Sequence, residues 1–340
     1  MEALLETLAN PVGSAISANV HSDSLGVGGG SCDEALRLPT DILRHLAGWE
    51  NVLHNRLKMF PQRQNLFDWI TQCWNIALGK RVAREGDAWL LGPIGAVNEG
   101  VSQFIQRIAD QEGLAIQRNV PGSGLVESMD DWAVSVSPGI KDFYRRTSDF
   151  KLSVTMVWKP GFGTLGYLVA KLFSRRIQQL NLPQGSSDEI IFNSDFFRLS
   201  DGDGRVRYTI WHRSIRATGE VVFFGIYSTC RIPSGEVCVK VVFPLPCGSA
   251  TVIFRPQCDQ QGGLLLVSSG KRDGDPGFYF LVQDRRGCVW KNYLPSLRES
   301  ILVSEGRDGS LSAEHTLRLW SLSVYSMKYS IEDMKSGIAR

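Results

Sequence analysis

The sequence predicts an α+β protein in which an N-terminal helical region packs on a large C-terminal antiparallel β-barrel or strongly curved sheet. Apolar residues return every three or four positions in the first half of the chain, which is typical of amphipathic helices. From residue 189 onward, short apolar segments alternate with Gly- and Asp-containing turns at hairpin spacing, which favours antiparallel neighbours. With 340 residues, the chain can bury a substantial core without disulfide or metal staples.

Three regions are predicted along the chain. Residues 1–34 contain a Gly/Ser-rich stretch and form a flexible arm, residues 35–135 are mainly helical, and residues 136–334 form an α+β domain dominated by antiparallel strands. Within the helical region we expect one helix over Gln64–Leu78. Residues 88–117 have the pattern of a β–α–β unit or of helices with short extended links.

The β-rich region divides into short segments separated by turn residues, and about ten sequential strands favour a meander that closes on itself. Two segments, Val221–Tyr227 and Val237–Phe243, are apolar on both sides. They need cover on two faces, which an outer helical layer and an inner core or ligand would supply. The predicted strands are Leu152–Trp158, Ile190–Leu199, Val206–Ile215, Glu220–Arg231, Val237–Phe243, Ala250–Gln257, Gly263–Ser268, Phe278–Gln283, Val289–Tyr293, Glu299–Glu305, Leu311–Trp320 and Val324–Ile331.

Charge and composition argue against several classes of partner. The 37 basic and 35 acidic residues are mixed along the chain, so the sequence shows no overall electrostatic footprint for nucleic acid or an anionic membrane. The N-terminus lacks a signal-peptide pattern, and no apolar run approaches the roughly 20 residues of a membrane span. We therefore expect a soluble, cytoplasmic protein without an integral membrane span, and the sequence indicates no oligomeric state.

Signatures of cofactors and metals are weak. The seven cysteines lack CxxC spacing and the five histidines do not pair, which predicts free thiols, no metal centre and no cofactor. Gly161–Gly166 matches the G-x-G-x-x-G outline of a dinucleotide site, with Asp188 and Glu189 following. Those acidic residues begin rather than end the next predicted strand, and no further parallel units follow. We interpret the glycines as a turn that enters a helix.

Candidate ligand-binding residues are cations and tryptophans, most of them embedded in otherwise apolar strands. A charged side chain in an apolar strand faces water, pairs with a carboxylate or meets an anionic ligand. Large aromatic side chains in strands that are apolar on both faces suit the lining of a cavity. The predicted ligand-binding residues are Trp158, Trp211, Arg213, Lys240, Arg255 and Trp320.

Titratable side chains define an alternative, catalytic set. His315 can act as a general acid or base near neutral pH if it points into a cavity, although a hydrogen-bonded strand histidine is the commoner case. The predicted catalytic residues are His315, Glu314, Tyr227 and Asp149. They would serve a reaction that needs one acid or base and no cofactor.

Several motifs occur in one order over residues 136–332, namely Ile140–Ser148, Phe173–Pro183, Thr218–Ser228, Val239–Pro246, Asp275–Tyr279 and Ala313–Trp320. Through them the chain resembles an uncharacterised family of bacterial proteins that is frequent in actinobacteria. The resemblance implies no catalytic residue. In architecture, the predicted fold is also similar to the lipocalin, fatty-acid-binding and START-like proteins, which hold ligands in a cavity.

The leading hypothesis is that the β-structure encloses a mostly apolar cavity for a small hydrophobic molecule, with an arginine or lysine to meet a carboxylate on it. One alternative is a cofactor-independent isomerase or cyclase that acts on a hydrophobic intermediate. A second alternative is a protein-interaction scaffold, which predicts a filled interior and an exposed apolar patch on the helices.

Overall fold

The computed structural model describes residues 66–96, 99–126, 135–158, 190–219 and 221–334. All of them belong to one compact unit, Val52–Arg340. The predicted N-terminal arm and the glycine motif at Gly161–Gly166 lie outside the described residues.

Three helices lie in the described part of the chain: α1 (Leu66–Leu78), α2 (Val101–Glu112) and α3 (Pro138–Arg145). The prediction of α1 is confirmed to within two residues at its start. Glycines bound α2, because the Gly100 N–H donates to Gln103 Oε1 at its start and Gly113 ends it with a φ of 67°. α3 begins with Pro138, whose missing N–H is not needed in the first turn.

The strands form one extended sheet with antiparallel pairing. From β3 onward, each strand coincides with a predicted one to within two residues. The strands are β1 (Lys80–Arg81), β2 (Ala115–Arg118), β3 (Phe150–Trp158), β4 (Ile190–Ser200), β5 (Val206–Ile215), β6 (Val221–Arg231), β7 (Val237–Leu245), β8 (Gly248–Cys258), β9 (Leu264–Ser268), β10 (Gly277–Gln283), β11 (Val289–Leu294), β12 (Leu297–Glu305), β13 (Leu311–Leu319) and β14 (Leu322–Asp333).

The described residues between α1 and α3 do not form a β–α–β unit. Residues 88–90 form a turn rather than a strand, and β2 pairs antiparallel with β4 instead of lying parallel to a preceding strand. Of the two predicted alternatives, helices with short extended links are therefore the correct one.

The strand order consists of two meanders joined through β3. One runs from β4 to β8 and the other from β12 to β14, while β3 pairs with β14 along its whole length. The short strand β9 pairs with both β12 and the C-terminal part of β8. The N-terminal part of β8 pairs with β10, from which β11 and β1 continue the sheet. The predicted sequential strand order is confirmed within each meander.

The sheet is strongly curved but not closed into a complete barrel. Among the described residues, β3 and β4 share two residue pairs, and β2 takes the far part of the same edge of β4. The seam between β3 and β4 is therefore incomplete. The predicted α+β class and the curved C-terminal sheet are confirmed. The alternative prediction, a closed barrel, is not confirmed.

The curvature creates an inner face, on which side chains from both meanders contact one another. The main apolar cluster lies there and includes Trp211 of β5, Val303 of β12 and Ile331 of β14. Helix α3 packs against this cluster through Ile140 and Phe143. The inner face is thus lined by strands that are far apart in the sequence.

The outer face carries separate clusters. Helix α2 packs Phe104 and Ile108 against Leu199, Ile210 and Phe224 of the first meander. Helix α2 thus covers the outer side of β6, one of the two strands that are apolar on both sides.

Candidate functional site

The alternation of side chains along β5 divides its residues between the two faces. Trp211 belongs to the inner cluster and Ile210 to the cluster under α2. Because side chains two positions apart point the same way, Arg213 lies on the inner face beside Trp211. Tyr227 of β6 and Tyr329 of β14 also pack against the inner cluster.

Arg213 is a buried cation held among aromatic rings. Its guanidinium carbon lies 4.2 Å from the centre of the Phe192 ring, 4.8 Å from that of Trp211 and 5.6 Å from that of Tyr329. Such contacts favour a cation over the ring face. Its Nε and Nη2 atoms have no hydrogen-bond partner among the described residues. Burial lowers the pKa of Arg213, and Tyr329 and Tyr227 oppose that shift.

The tyrosine hydroxyls near Arg213 are neutral. Burial raises the pKa of Tyr227 and of Tyr329, and the positive charge of Arg213 partly offsets both shifts. The Tyr329 hydroxyl also lies 3.5 Å from Met327 Sδ. At physiological pH, both tyrosines can therefore donate a hydrogen bond to an anion but cannot supply a negative charge to the arginine.

Aromatic side chains continue the inner surface away from Arg213. Trp211 stacks on Phe196 with ring centres 5.5 Å apart, and Phe223 meets Phe243 edge to face at 5.4 Å. The absence of a side chain at Gly225 leaves room for the Phe223 ring, since a Cβ at this glycine would lie 2.6 Å from two atoms of that ring.

The side chains of the inner face differ in how deeply they are buried. Several of its side chains keep part of their surface accessible although they point towards the facing strands. These are Phe223, Tyr227, Phe243, Ile301 and Tyr329. Large aromatic side chains that keep some accessible surface are the kind of residue that lines small-molecule sites.

A second polar group on the inner face is the pair of His315 on β13 and Glu299 on β12. His315 Nε2 is in hydrogen-bond contact with Glu299 Oε1, and the two side chains are 14% and 10% exposed. The Tyr325 ring lies edge-on to the imidazole at 5.7 Å. A carboxylate on one ring nitrogen can fix the orientation and tautomer of a histidine, as in many general acid–base pairs.

Glu314 is not part of this pair. It lies exposed on the outer face, where Ser326 Oγ donates to its carboxylate at 3.2 Å. The acidic partner of His315 is Glu299, which the sequence reasoning missed. The partner follows from the register of β12 and β13, in which Ile301 lies opposite His315 and Glu299 lies two positions away on the same face.

Two predicted cations, Lys240 and Arg255, lie in other surroundings. Lys240 points to the outer face, where its Nζ donates to the carbonyl oxygens of Trp89 and Leu91 at 3.1 and 2.8 Å, and burial lowers its pKa. Arg255 pairs with Glu236 at 2.7 Å on the surface. Neither contact brings these cations to the inner face.

Asp149 and Trp320 are also outside the inner polar group. Asp149 ends the turn after α3, where its carboxylate accepts hydrogen bonds from the Gly122 N–H at 2.9 Å and from Arg146 at 3.0 Å. Trp158 pairs through its backbone with Tyr325, and its side chain lies outside the described part of the structure. Trp320 is exposed in the turn between β13 and β14.

Within the described ranges, no three His, Cys, Asp or Glu side chains are grouped so that they could hold a metal ion. Cys73, Cys230, Cys238, Cys258 and Cys288 are free thiols. Among the described residues, the inner face offers Arg213, the tyrosine hydroxyls and the pair formed by His315 and Glu299.

Comparison with known proteins gives one informative similarity. An uncharacterised membrane protein of Bacillus subtilis (strain 168), YndJ, is 29% identical over 247 residues, which cover 70% of this chain and 42% of that protein. The chain thus spans less than half the length of this relative. No family model and no solved structure matches the chain.

These findings bear on two predictions. Similarity to an uncharacterised bacterial protein is confirmed, whereas similarity to lipocalin or START-like proteins is not shown. The prediction of a cytoplasmic protein is contradicted, because the relative is named a membrane protein. None of the described helices is both long enough and apolar enough to cross a bilayer.

Proposed function

We propose that the inner face of the curved sheet binds an amphipathic carboxylic acid, with the carboxylate on Arg213 and the apolar chain along the aromatic side chains. The observation that carries the proposal is a buried arginine with two unpartnered nitrogen atoms beside accessible aromatic surface. A guanidinium fork matches the geometry of a carboxylate with two parallel hydrogen bonds.

Energetics favour an anion at this point. Burying a charge without a partner costs several kcal/mol, and a ligand carboxylate recovers part of that cost when it binds. The neutral hydroxyls of Tyr227 and Tyr329 add donors, and neither competes for the guanidinium as an anion. The site therefore selects for a ligand that is negative at one end and apolar along the rest.

We also propose that this ligand comes from a bilayer, because the relative from Bacillus subtilis is named a membrane protein. Long-chain carboxylic acids partition into lipid and have the required chemistry. This part of the proposal concerns the source of the ligand and leaves the binding geometry unchanged.

Binding is tested with two ligands that differ only in the head group, oleic acid and oleyl alcohol. Isothermal titration of wild type and of Arg213→Gln should show a roughly tenfold to hundredfold loss of affinity for the acid and little change for the alcohol, since charge-assisted hydrogen bonds contribute about 1.5–3 kcal/mol. Arg207→Gln is the matched control, because Arg207 is an exposed residue of the same strand. Equal affinities of wild type and Arg213→Gln for the acid would refute the proposal.

A second candidate function is a cofactor-independent isomerase or cyclase. The observation that favours it is the buried contact of His315 with Glu299 on the same inner face as Arg213. In this case a molecule that co-purifies with the protein should change its structure on incubation, as mass spectrometry and chromatography would show. His315→Gln should then stop the conversion and leave binding of the acid intact.

The scaffold alternative predicts a filled interior. The accessible inner side chains argue for binding instead, and the titration with oleic acid separates the two. A wild-type protein that binds neither the acid nor the alcohol would favour the scaffold.

A further inference from the structure

The tip of the hairpin formed by β13 and β14 exposes large apolar side chains. A two-residue turn, Trp320 and Ser321, joins the strands, and Trp320 and Leu322 are 47% and 55% exposed. Few of the described large apolar residues are this open to solvent. Exposed apolar side chains that lie together are typical of an interaction surface, whereas single ones are common on any protein.

The neighbouring turn belongs to the same tip. The Trp320 N–H donates to the Ser296 carbonyl oxygen at 2.6 Å, which fixes the connection between β11 and β12 beside the hairpin. Leu297, Leu319 and Leu322 are partners across three adjacent strands and form a row at the strand ends. We call the surface formed by these leucines, Trp320 and the two turns the apolar tip.

Two arginines flank the apolar tip. Arg298 and Arg318 are direct cross-strand partners on β12 and β13, and both are exposed. Neither makes an ion pair with a described carboxylate. Like charges directly opposite each other destabilise a sheet. An anion bound between the two arginines would therefore relieve their repulsion.

Trp320 occupies a backbone conformation that ordinary side chains avoid. Its φ is 53°, in the left-handed region where Gly and Asn are favoured in hairpin turns. A bulky residue there costs on the order of 1 kcal/mol. The turn therefore keeps a tryptophan at a cost in stability and presents it to solvent.

We propose that the apolar tip docks on a bilayer that contains anionic phospholipid. Tryptophan prefers the interface between lipid and water, the leucines reach the acyl boundary, and the arginines meet lipid phosphates. The net charge of the chain is only +2, so attraction rests on this local pair rather than on the whole surface. The docking surface and the Arg213 site share no residue.

The test is co-sedimentation of the full chain with vesicles of phosphatidylcholine, with and without phosphatidylglycerol. Wild type should bind only vesicles with the anionic lipid, and added salt should weaken binding. Trp320→Asn combined with Leu322→Ser should lower the partition coefficient roughly tenfold or more, since the buried apolar area is lost. Asn preserves the left-handed turn, so the hairpin should still form.

The charge contribution is tested with Arg298→Gln and Arg318→Gln, each of which should weaken binding roughly fivefold. Two control variants keep the tip intact. Arg205→Gln with Arg207→Gln removes exposed positive charge elsewhere, and Leu78→Ser removes an exposed leucine of α1. Both controls should bind as wild type does.

Three results would overturn the proposal: no binding of folded wild type to anionic vesicles, unchanged binding of the tip variants, or lipid-free self-association of wild type that the tip variants abolish. The last result would assign the tip to a second copy of the chain. Failure of the cavity proposal is distinguishable, because Arg213→Gln should leave vesicle binding unchanged and the tip variants should bind oleic acid normally.

Discussion

Two cations are buried on opposite faces of the same meander, and their surroundings differ. Lys240 on β7 faces outward and donates to the carbonyl oxygens of Trp89 and Leu91. Arg213 on β5 faces inward and keeps two nitrogen atoms without partners in the described structure. Their exposed fractions are 7% and 6%, so burial does not distinguish them. They differ in hydrogen bonding. A buried cation whose donors are hydrogen-bonded within the protein stabilises the fold, whereas one with unpaired donors can bind an anion.

The largest expected effect on stability is that of Lys240→Met. It keeps most of the side-chain volume but removes the donor to two carbonyl oxygens in a region that is closed to water. We expect a loss of about 2 kcal/mol in the free energy of unfolding at pH 7, because each buried unsatisfied group costs about 1–3 kcal/mol and removal of a buried charge offsets part of that. Urea unfolding followed by circular dichroism measures it.

The pH dependence of the same variant sharpens the comparison. Burial lowers the pKa of Lys240 below 10.5, so the unfolded state binds the proton more readily than the folded state. Wild-type stability should therefore gain from this residue as pH rises from the lowered pKa towards 10.5, and Lys240→Met should lack that gain. An identical pH profile in the two proteins would show that Lys240 is not the buried donor described above.

Tyr227→Phe has a smaller effect that depends on pH. Burial raises the pKa of Tyr227 above 10, so its stabilising contribution is complete below pH 10 and declines as pH rises further. Between pH 9 and pH 11, the variant should lose about 1 kcal/mol less stability than wild type. The difference in the free energy of unfolding between the two proteins at pH 7 gives the effect of removing the hydroxyl itself. A parallel decline in both proteins would place Tyr227 in contact with bulk water.

Arg213→Met should change stability by less than about 1 kcal/mol, because lost cation–π contacts and the removed cost of burying a charge nearly cancel. It is the inner-face match to Lys240→Met and is measured in the same way. Equal losses in the two variants would break the comparison, since Arg213 would then be as fully satisfied as Lys240.

The smallest effect concerns thiol reactivity on the outer face near Lys240. Cys230 and Cys238 are cross-strand partners, and burial raises their pKa values to about 11 and about 12. Iodoacetamide at pH 8 should modify the exposed Cys258 at least about tenfold faster than either, as peptide mass mapping would show. Rapid labelling of Cys230 would mean that the outer cluster opens readily, and would weaken the contrast between a closed outer face and an accessible inner one.

Strand positions could be predicted from the sequence because turn chemistry and composition are local. Gly204 and Gly219 follow Asp201 and Ile215 at hairpin turns, both with positive φ, and they mark strand ends without reference to the rest of the fold. Helix α1 was predicted in the same way, from apolar spacing.

The site depends on information that is not local. Lys240 lies between two valines and Arg213 lies two residues from Trp211, and only the register of the strands sends one outward and the other inward. The partner of His315 depends in the same way on how β12 lies against β13. Glu314, which was predicted as a catalytic residue alongside His315, lies on the opposite face because side chains alternate along the strand.

The pairing of β3 with β14 has a consequence for synthesis on the ribosome. Strand β3 shares two described residue pairs with β4, and most of its backbone bonds go to β14, which is translated about 170 residues later. At about 5–20 residues per second, the edge of β3 waits on the order of ten seconds or longer for its partner. The meander from β4 to β8 is complete well before then. On a crowded polysome, the unpaired edge of β3 can therefore pair with β14 of a neighbouring chain. Exchange of β14 between copies of the protein is the folding error that we expect.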